Sequence, residues 1–287
     1  MGRRQLRHFY DDESVRLEVD AALGSVIEPW GRHRQRFLDE MSSLTEEQWL
    51  TASRCDGWRA RDVICHLVDV DAFWVLSLTA GRASSPTTVL KNFDPTATPA
   101  DLVDARAGMT TVEVAKQFTE NTAALVEVVE SMTEDEWSMA AESPLGHVPA
   151  RLMLAHGLWD SWLHERDVLQ PLGLTPPPDP VELETVTWYT LLFGAAQGGL
   201  LQDPRPVGAG ATEPIDAQLR FDELTDPLHL TVDAGVFVGR GTDRATSVGS
   251  ASELVEQLSG RLEWPTPDAH ALPGDLAAHL ERAREIL

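Results

Sequence analysis

The sequence is poor in cysteine, poor in positive charge and without any long stretch free of polar residues. Its 287 residues include two cysteines, Cys55 and Cys65, which excludes a disulfide-stapled secreted fold. Lys and Arg number 23 against 46 Asp and Glu, so the formal net charge is −23. Because a surface this acidic repels phosphate backbones and anionic lipids, we expect neither a nucleic-acid partner nor a membrane partner.

Neither the most apolar long stretch nor the N-terminal segment is typical of a membrane span or a signal peptide. The most apolar long stretch, Leu183–Leu201, contains Glu184, Gln197 and three glycines. A span needs about 20 residues almost free of polar groups, so this stretch predicts a buried helix instead. Met1–Asp20 contains no apolar run of signal-peptide type. We therefore expect a cytoplasmic protein.

A proline-rich run divides the chain in two. Within Leu174–Pro180, four of five consecutive residues are proline. Such a run cannot be helical and is typical of a stiff connector. We predict a helical domain over residues 20–175 and a mixed domain over residues 182–287.

Signals for helices recur throughout the region before the connector, which we expect to be wholly helical. Capping boxes begin at Thr45, Thr110 and Thr133. Gly81 is placed where a glycine ends a helix, and Pro149 suits a first helical turn. The predicted helices span residues 26–42, 45–49, 59–80, 110–132 and 149–169. The four long ones would form a bundle.

An internal sequence repeat supports this arrangement. Ser43–Trp49 resembles Ser131–Trp137, and each is followed by a glycine loop and an Ala-Arg-x4-His segment that ends at His66 or His156. This favours two copies of a unit made of helix, short helix, loop and helix. The alternative is chance recurrence of common cap chemistry.

The region after the connector mixes helix and strand signals. Residues 218–222 and 228–232 alternate between apolar and polar, as half-buried strands do. A helix is predicted at 182–202, a short strand between turns in 235–241, a strand followed by a helix around the cap at Ser250, and a final helix at 275–287. The helix after Ser250 is amphipathic through Leu262. This pattern predicts an α+β domain.

Two potential metal ligands lie on the last helix of the first region. Asp160 and His164 are four residues apart, so their side chains share one face. The alternative is an ordinary surface pair. His66 lies mid-helix among apolar residues, which is also typical of a core histidine. In an antiparallel bundle its helix can face that of Asp160 and His164 across the core. Two histidines and one carboxylate would leave coordination positions open, as in catalytic sites.

Other polar residues near this pair have less certain roles. His156 is one turn before Asp160 and could be a fourth ligand, a partner that holds Asp160, or a core residue. Glu165 and Asp167 are expected to be solvated or paired with a neighbour such as Arg166. Cys65 and His66 do not form a catalytic dyad, because adjacent residues on a helix point about 100° apart.

Two segments resemble a known family. Cys55–Leu67 is similar to the Gly-Trp-x-x-Arg-Asp-Val-x-x-His-Leu signature of the DinB-like, mycothiol-dependent maleylpyruvate isomerase N-terminal family. Trp159–Asp167 resembles the family's second metal motif, in which a carboxylate or His is followed four residues later by His. The isomerases themselves usually carry Glu where this chain has Asp160. Residues from Thr246 to Arg261 resemble the sterol-carrier-like domain that often follows.

The resemblance implies a fold of α plus α+β class, with a DinB-like four-helix bundle followed by a small α+β sterol-carrier-like domain. It makes His66, Asp160 and His164 ligands of a divalent metal, with zinc implied. It also implies a low-molecular-weight thiol such as mycothiol, acting on a small electrophile such as maleylpyruvate in an isomerase or S-transferase. The resemblance assigns no further catalytic residue.

Two other classes of function fit the same residues. One is a metal- or ligand-binding protein without turnover, and the other is a metal-dependent hydrolase. An enzyme would need an open coordination position and a cation near its substrate, for which Arg61, Arg151 and Arg220 are possible sources. A closed site would favour the binding protein.

Overall fold

A computed structural model of the chain describes residue 10 and residues 16–95, 97–200, 214–233, 235–265 and 271–284. The chain divides into two compact units. One comprises residues 26–178 and is mainly helical; the other joins residues 1–25 to residues 179–287 and contains a sheet with helices. The predicted fold class, a helical region followed by an α+β region, is confirmed.

The helical unit is built from four long helices with shorter elements between them. The elements are α1 (Ile27–Ser43), α2 (Glu46–Trp49), α3 (Ala60–Arg82), α4 (Ala97–Ala105), α5 (Thr111–Glu130), β2 (Ala140–Ser143), β3 (Gly146–Pro149) and α6 (Ala150–Leu169). Helices α1 and α3 each pack against both α5 and α6. Helices α3 and α6 therefore meet as neighbours, which places their facing side chains together.

Two of these helices begin with capping boxes, as predicted. The side chains of Thr45 and Thr110 each accept a hydrogen bond from the backbone N–H three residues later, and the side chain of that residue accepts the backbone N–H of the threonine. Thr133 donates its backbone N–H to Glu136 at 2.7 Å, but the turn that follows is a single 3-10 turn. The second copy of the internal sequence repeat therefore lacks the short α-helix of the first copy.

Two expectations for this unit are wrong. The region is not wholly helical, because β2 and β3 form an antiparallel hairpin immediately before α6. Gly81 does not end α3 but lies inside it. A Cβ at Gly81 would lie 2.6 Å from the carbonyl oxygen of Ala140, so this glycine lets the hairpin approach the helix closely. Helix α4 was not predicted, since it has a single buried residue, Val103, and thus little apolar periodicity.

A buried ion pair links α1 to α3. The Arg34 guanidinium lies 2.9 Å from one carboxylate oxygen of Asp71, and both side chains are at most 1% exposed. Thr122 of α5 donates its hydroxyl to the other oxygen at 2.7 Å. Burial raises the pKa of Asp71, and Arg34 and Thr122 oppose that rise. Three helices of the bundle thus meet at one buried charged point.

Helix α3 has the length and hydropathy of a membrane-spanning helix. Half of its most apolar window is nevertheless buried inside the protein. The core helix of a soluble protein meets the same criterion.

The second unit contains a five-stranded sheet in its described part. Its elements are β1 (Arg16–Val19), α7 (Pro180–Leu200), β4 (Ile215–Phe221), β5 (Leu228–Val232), β6 (Gly235–Arg240), β7 (Thr246–Gly249), α8 (Ala251–Leu258) and α9 (Gly274–Ala283). The strand order is β1-β6-β5-β4-β7, with parallel pairs at both edges and antiparallel pairs in the centre. Helix α7 packs against α8, α9 and two central strands.

The predicted strands and the buried helix of this unit are confirmed. From Leu183 to Gln197, every side chain of α7 except Glu184 is buried. Ser250 caps α8 by accepting from the backbone of Glu253, but α8 ends at Leu258, so Leu262 lies outside it. Residues 201–202 and 285–287 of the predicted helices lie outside the described residues. Strand β1 was not predicted.

Candidate metal centre

Helices α3 and α6 carry the three predicted ligands. His66 lies in the second turn of α3, and Asp160 and His164 lie one turn apart in the middle of α6. Nearly every residue of α6 is buried, so this helix cannot rotate to turn its polar pair toward water. The neighbouring packing of α3 and α6 then brings His66 opposite that pair.

The three side chains converge on one point. One ligand atom from each of His66, Asp160 and His164 lies within 4.8 Å of the others. The Asp160 Oδ1 atom lies 3.9 Å from His66 Nε2 and 3.5 Å from His164 Nε2. These separations are long for hydrogen bonds. Ligands about 2 Å from a tetrahedral metal lie about 3.4 Å from each other, so the spacing fits a shared ion.

Asp160 has a buried carboxylate oxygen, Oδ2, that makes no hydrogen bond to the described residues. Burial raises the pKa of Asp160, but His164 and His66 outweigh that effect and hold it below its ordinary value. The carboxylate is therefore ionised and available to a cation, which supports a divalent metal at this point.

A second carboxylate orients His164. Asp167 is fully buried, and its Oδ2 atom accepts a hydrogen bond from His164 Nδ1 at 3.0 Å. This fixes the proton on Nδ1 and leaves Nε2 to face His66 and Asp160. A metal-bound histidine typically donates its other ring N–H in this way. The Cys55 thiol also donates to Asp167 Oδ2, at 3.2 Å.

Cys55, His164 and Asp167 form a second convergent group, but its geometry differs from that of the first. All three of its separations are hydrogen-bond distances, including 3.8 Å from Cys55 Sγ to His164 Nδ1, so these atoms are hydrogen-bonded to one another without an ion. Sequence reasoning missed this role for Asp167, which was expected to be solvated or paired nearby. Its spacing of three residues from His164 was the available signal. Glu165 is also buried, and it pairs with Arg36 at 3.0 Å and, as expected, with Arg166 at 3.4 Å.

The charge on His164 depends on both carboxylates. Burial lowers the pKa of His164, but Asp160 and the hydrogen bond to Asp167 together raise it to about 10. The metal-free imidazole is therefore protonated at neutral pH.

His156 lies beside this cluster rather than in it. It is absent from the convergent group of His66, Asp160 and His164, and its ring contacts those of Trp74 and Trp159 at centroid distances of 5.5 Å and 5.3 Å. Burial lowers the pKa of His156 to about 4. His156 is therefore a neutral side chain in an aromatic wall.

A cavity of about 410 Å³ opens next to the cluster within the helical unit. His66, His156 and Asp160 form its polar side. Its apolar walls include Val70, Phe73, Trp74, Leu90, Phe93 and Leu102. The position suits a small molecule that reacts beside His66 and Asp160.

Glu142 holds one wall of this cavity in place. The side chain of Glu142 in β2 is fully buried, and its carboxylate accepts the backbone N–H groups of Val89 at 2.9 Å and Leu90 at 2.7 Å. Ser77 of α3 exchanges two hydrogen bonds with the Glu142 backbone, at 2.8 Å and 3.0 Å. The short 3-10 turn Val89–Asn92 is thereby tied to the bundle.

The three arginines considered as substrate cations are not in the cavity wall. Arg61 donates to the carbonyl oxygens of Arg106 and Met109 at 2.8 Å and 2.6 Å. Arg151 is exposed at the start of α6, and Arg220 belongs to the other unit. None of the three is among the described residues that line the cavity.

Comparisons with known proteins place this helical unit in a family. A model described as the mycothiol maleylpyruvate isomerase N-terminal domain matches residues 30–169, which include all three predicted ligands. No curated protein matches the chain.

Two solved structures share the fold. A mycothiol-dependent maleylpyruvate isomerase is 16% identical, with a TM-score of 0.57, over 83% of this chain and 88% of that chain. A mutant of such an isomerase, with one histidine changed to alanine, gives 15% identity and the same TM-score and coverage. Through residues 30–169, the chain therefore belongs to the mycothiol maleylpyruvate isomerase N-terminal domain family.

Proposed function

We propose that the chain is a metal-dependent enzyme of the thiol-dependent isomerase or S-transferase type, acting in the cytoplasm on a small electrophile. The observation that carries this proposal is the convergence of His66, Asp160 and His164 at the edge of an apolar cavity. Three protein ligands leave room for a further ligand, as in catalytic rather than structural sites.

We further propose that the metal is zinc and that the thiol is of the mycothiol class. His66 Nε2, His164 Nε2 and one Asp160 oxygen would hold the ion. When bound, such an ion lowers the pKa of a coordinated thiol, so that a thiolate is present at neutral pH. The name of the matched family and that of the similar isomerases support the choice of thiol.

The protein's own residues orient the metal ligand His164 and shield the electrophile from water. Asp167 keeps the proton of His164 on Nδ1, so that Nε2 stays directed at the site. Glu142 holds the Val89–Asn92 turn as a wall that excludes water from the electrophile. His156, being neutral, adds no charge that would compete for the thiolate.

Binding of the thiol can be tested without turnover. Protein loaded with Co²⁺ in place of zinc is titrated with mycothiol and, as a matched control, with its S-methyl derivative. We expect a charge-transfer absorption with the free thiol and none with the S-methyl compound, because only the thiolate is an anionic sulfur ligand. Thiol-dependent conversion of maleylpyruvate is then assayed with zinc.

Two outcomes would overturn the proposed function. One is an unchanged cobalt spectrum together with no thiol-dependent conversion, which would favour a binding protein. The other is hydrolysis that proceeds at the same rate without thiol, which would favour a metal-dependent hydrolase.

Metal binding should release a proton from His164. The pKa of His164 is about 10 in the metal-free protein, so at pH 7 a metal must displace the proton from Nε2. We therefore expect affinity to rise about tenfold per pH unit between pH 6 and pH 8, with about one proton released from His164 per metal. Calorimetry in buffers of different ionisation enthalpy measures that proton. An affinity that stays flat over this range would contradict the assignment of His164.

A further inference from the structure

The cavity beside the cluster has mostly apolar walls among the residues that the structure describes. Of the described residues that line it, none is Lys or Arg, and its charged members are Asp69 and Asp160. The other polar lining residues are His66, Asn92, Thr98 and His156, and aromatic and aliphatic side chains from α3, α4 and residues 89–93 form most of the remaining wall. The volume of about 410 Å³ lies in the range of small-molecule sites.

The guanidinium that contacts the lining residue Asp69 is already engaged. Arg106 makes two hydrogen bonds to the Asp69 carboxylate, at 2.6 Å and 2.9 Å, and a third to Gln117 at 2.6 Å. The hydrogen bonds to Asp69 raise the pKa of Arg106 above its ordinary value. Arg106 therefore neutralises Asp69 and offers no free charge to a ligand.

The charge balance of the described site disfavours a second anion. A divalent ion held by His66, Asp160 and His164 would have one charge offset by Asp160 and the other by a thiolate. A carboxylate of the electrophile would then enter an apolar cavity without a partner. Burying an unpaired carboxylate is strongly unfavourable, because it loses its water without gaining a countercharge.

Resting on the proposed function, we propose that the electrophile of this site is uncharged, with an aromatic or branched hydrocarbon body, and is not a dicarboxylate. The aromatic rings of Phe73, Trp74 and Phe93 would contact that body. The polar side at His66 and Asp160 would receive its reactive end.

Binding of two nearly isosteric probes tests this directly. Benzylideneacetone and trans-cinnamate share one skeleton, but the ketone has a methyl group where cinnamate has a charged oxygen. Maleate serves as the dicarboxylate. Calorimetry is done on metal-free protein, because zinc without its thiolate would keep one unbalanced charge and would itself bind a carboxylate. We expect benzylideneacetone to bind at least about tenfold more tightly than cinnamate, and maleate more weakly still.

Matched variants locate the binding. Val70→Trp fills the cavity from α3, whereas Leu76→Trp changes a side chain on the same helix that is 48% exposed and outside the cavity. We expect Val70→Trp to weaken ketone binding at least about tenfold and Leu76→Trp to leave it unchanged. Leu102→Arg adds a cation at a lining position that is 42% exposed, so the variant should fold. We expect this variant to bind cinnamate more tightly than the unaltered protein does.

The failures of the two proposals are distinguishable. Cinnamate or maleate binding as tightly as the ketone, or ketone binding that survives Val70→Trp, would overturn the inference about charge. Thiol-dependent turnover of maleylpyruvate without ketone binding would also overturn it, yet leave the proposed function intact. Ketone binding in the cavity with no thiol ligation would support the inference and remove the proposed function.

Discussion

Replacing His164 with alanine is expected to abolish stoichiometric metal binding. The side chain supplies one of three converging ligand atoms, and its loss leaves His66 and Asp160 alone. Loss of a residue that merely orients a ligand costs about 10–100-fold in affinity, so loss of the ligand itself should cost more than about 100-fold. Elemental analysis after dialysis against zinc measures this, with about one zinc per chain expected in the unaltered protein.

His156→Ala is the matched control. His156 lies two turns before His164 on the same helix and lines the cavity beside the cluster, but it is not in the convergent group. We expect this variant to retain its zinc. If His156→Ala lost zinc as fully as His164→Ala does, His156 would be a fourth ligand. If neither variant changed the metal content, the site would lie elsewhere.

Removing Asp71 is expected to destabilise the helical unit by about 3–5 kcal/mol. Asp71→Ala leaves the Arg34 guanidinium buried without its carboxylate and the Thr122 hydroxyl without its acceptor. Breaking a buried ion pair on one side typically has a cost of this size. Urea unfolding followed by tryptophan fluorescence measures the shift.

Two controls separate this effect from a general sensitivity to lost charge. Glu28→Ala removes an exposed partner of Arg32 and should change the free energy of unfolding by less than about 1 kcal/mol. The double variant Arg34→Met, Asp71→Leu fills the space with apolar atoms and should recover most of the lost stability. A double variant as unstable as Asp71→Ala would show that shape, not unpaired charge, is the cause.

The long helices could be predicted because their signals are local. Apolar residues at helical spacing and the boxes at Thr45 and Thr110 lie within the segments that they define. The convergence of His66 with Asp160 and His164 could also be predicted. Asp160 and His164 share one helix face, and the internal sequence repeat placed His66 on a facing helix. The roles of these residues as metal ligands stay a prediction.

The features that were missed depend on partners distant in sequence. Gly81 has the sequence appearance of a helix end, but the oxygen that explains it belongs to Ala140. Asp167 resembles a solvated acid until the burial of α6 is known. Strand β1 is four residues long and alternates only weakly in burial, so it is recognisable only beside β6.

The pairing of β1 with β6 sets a constraint on the order of folding during synthesis. Val19 pairs with Val238, so these strand residues are roughly 220 positions apart. At about 5–20 residues per second, the ribosome completes β6 some 10–45 s after β1. The whole helical unit leaves the ribosome within that interval and can fold while β1 waits unpaired. Strand β1, which is made before the helical unit, is thus among the last of the described elements to be ordered, and a chaperone that shields it would act early and for a long time.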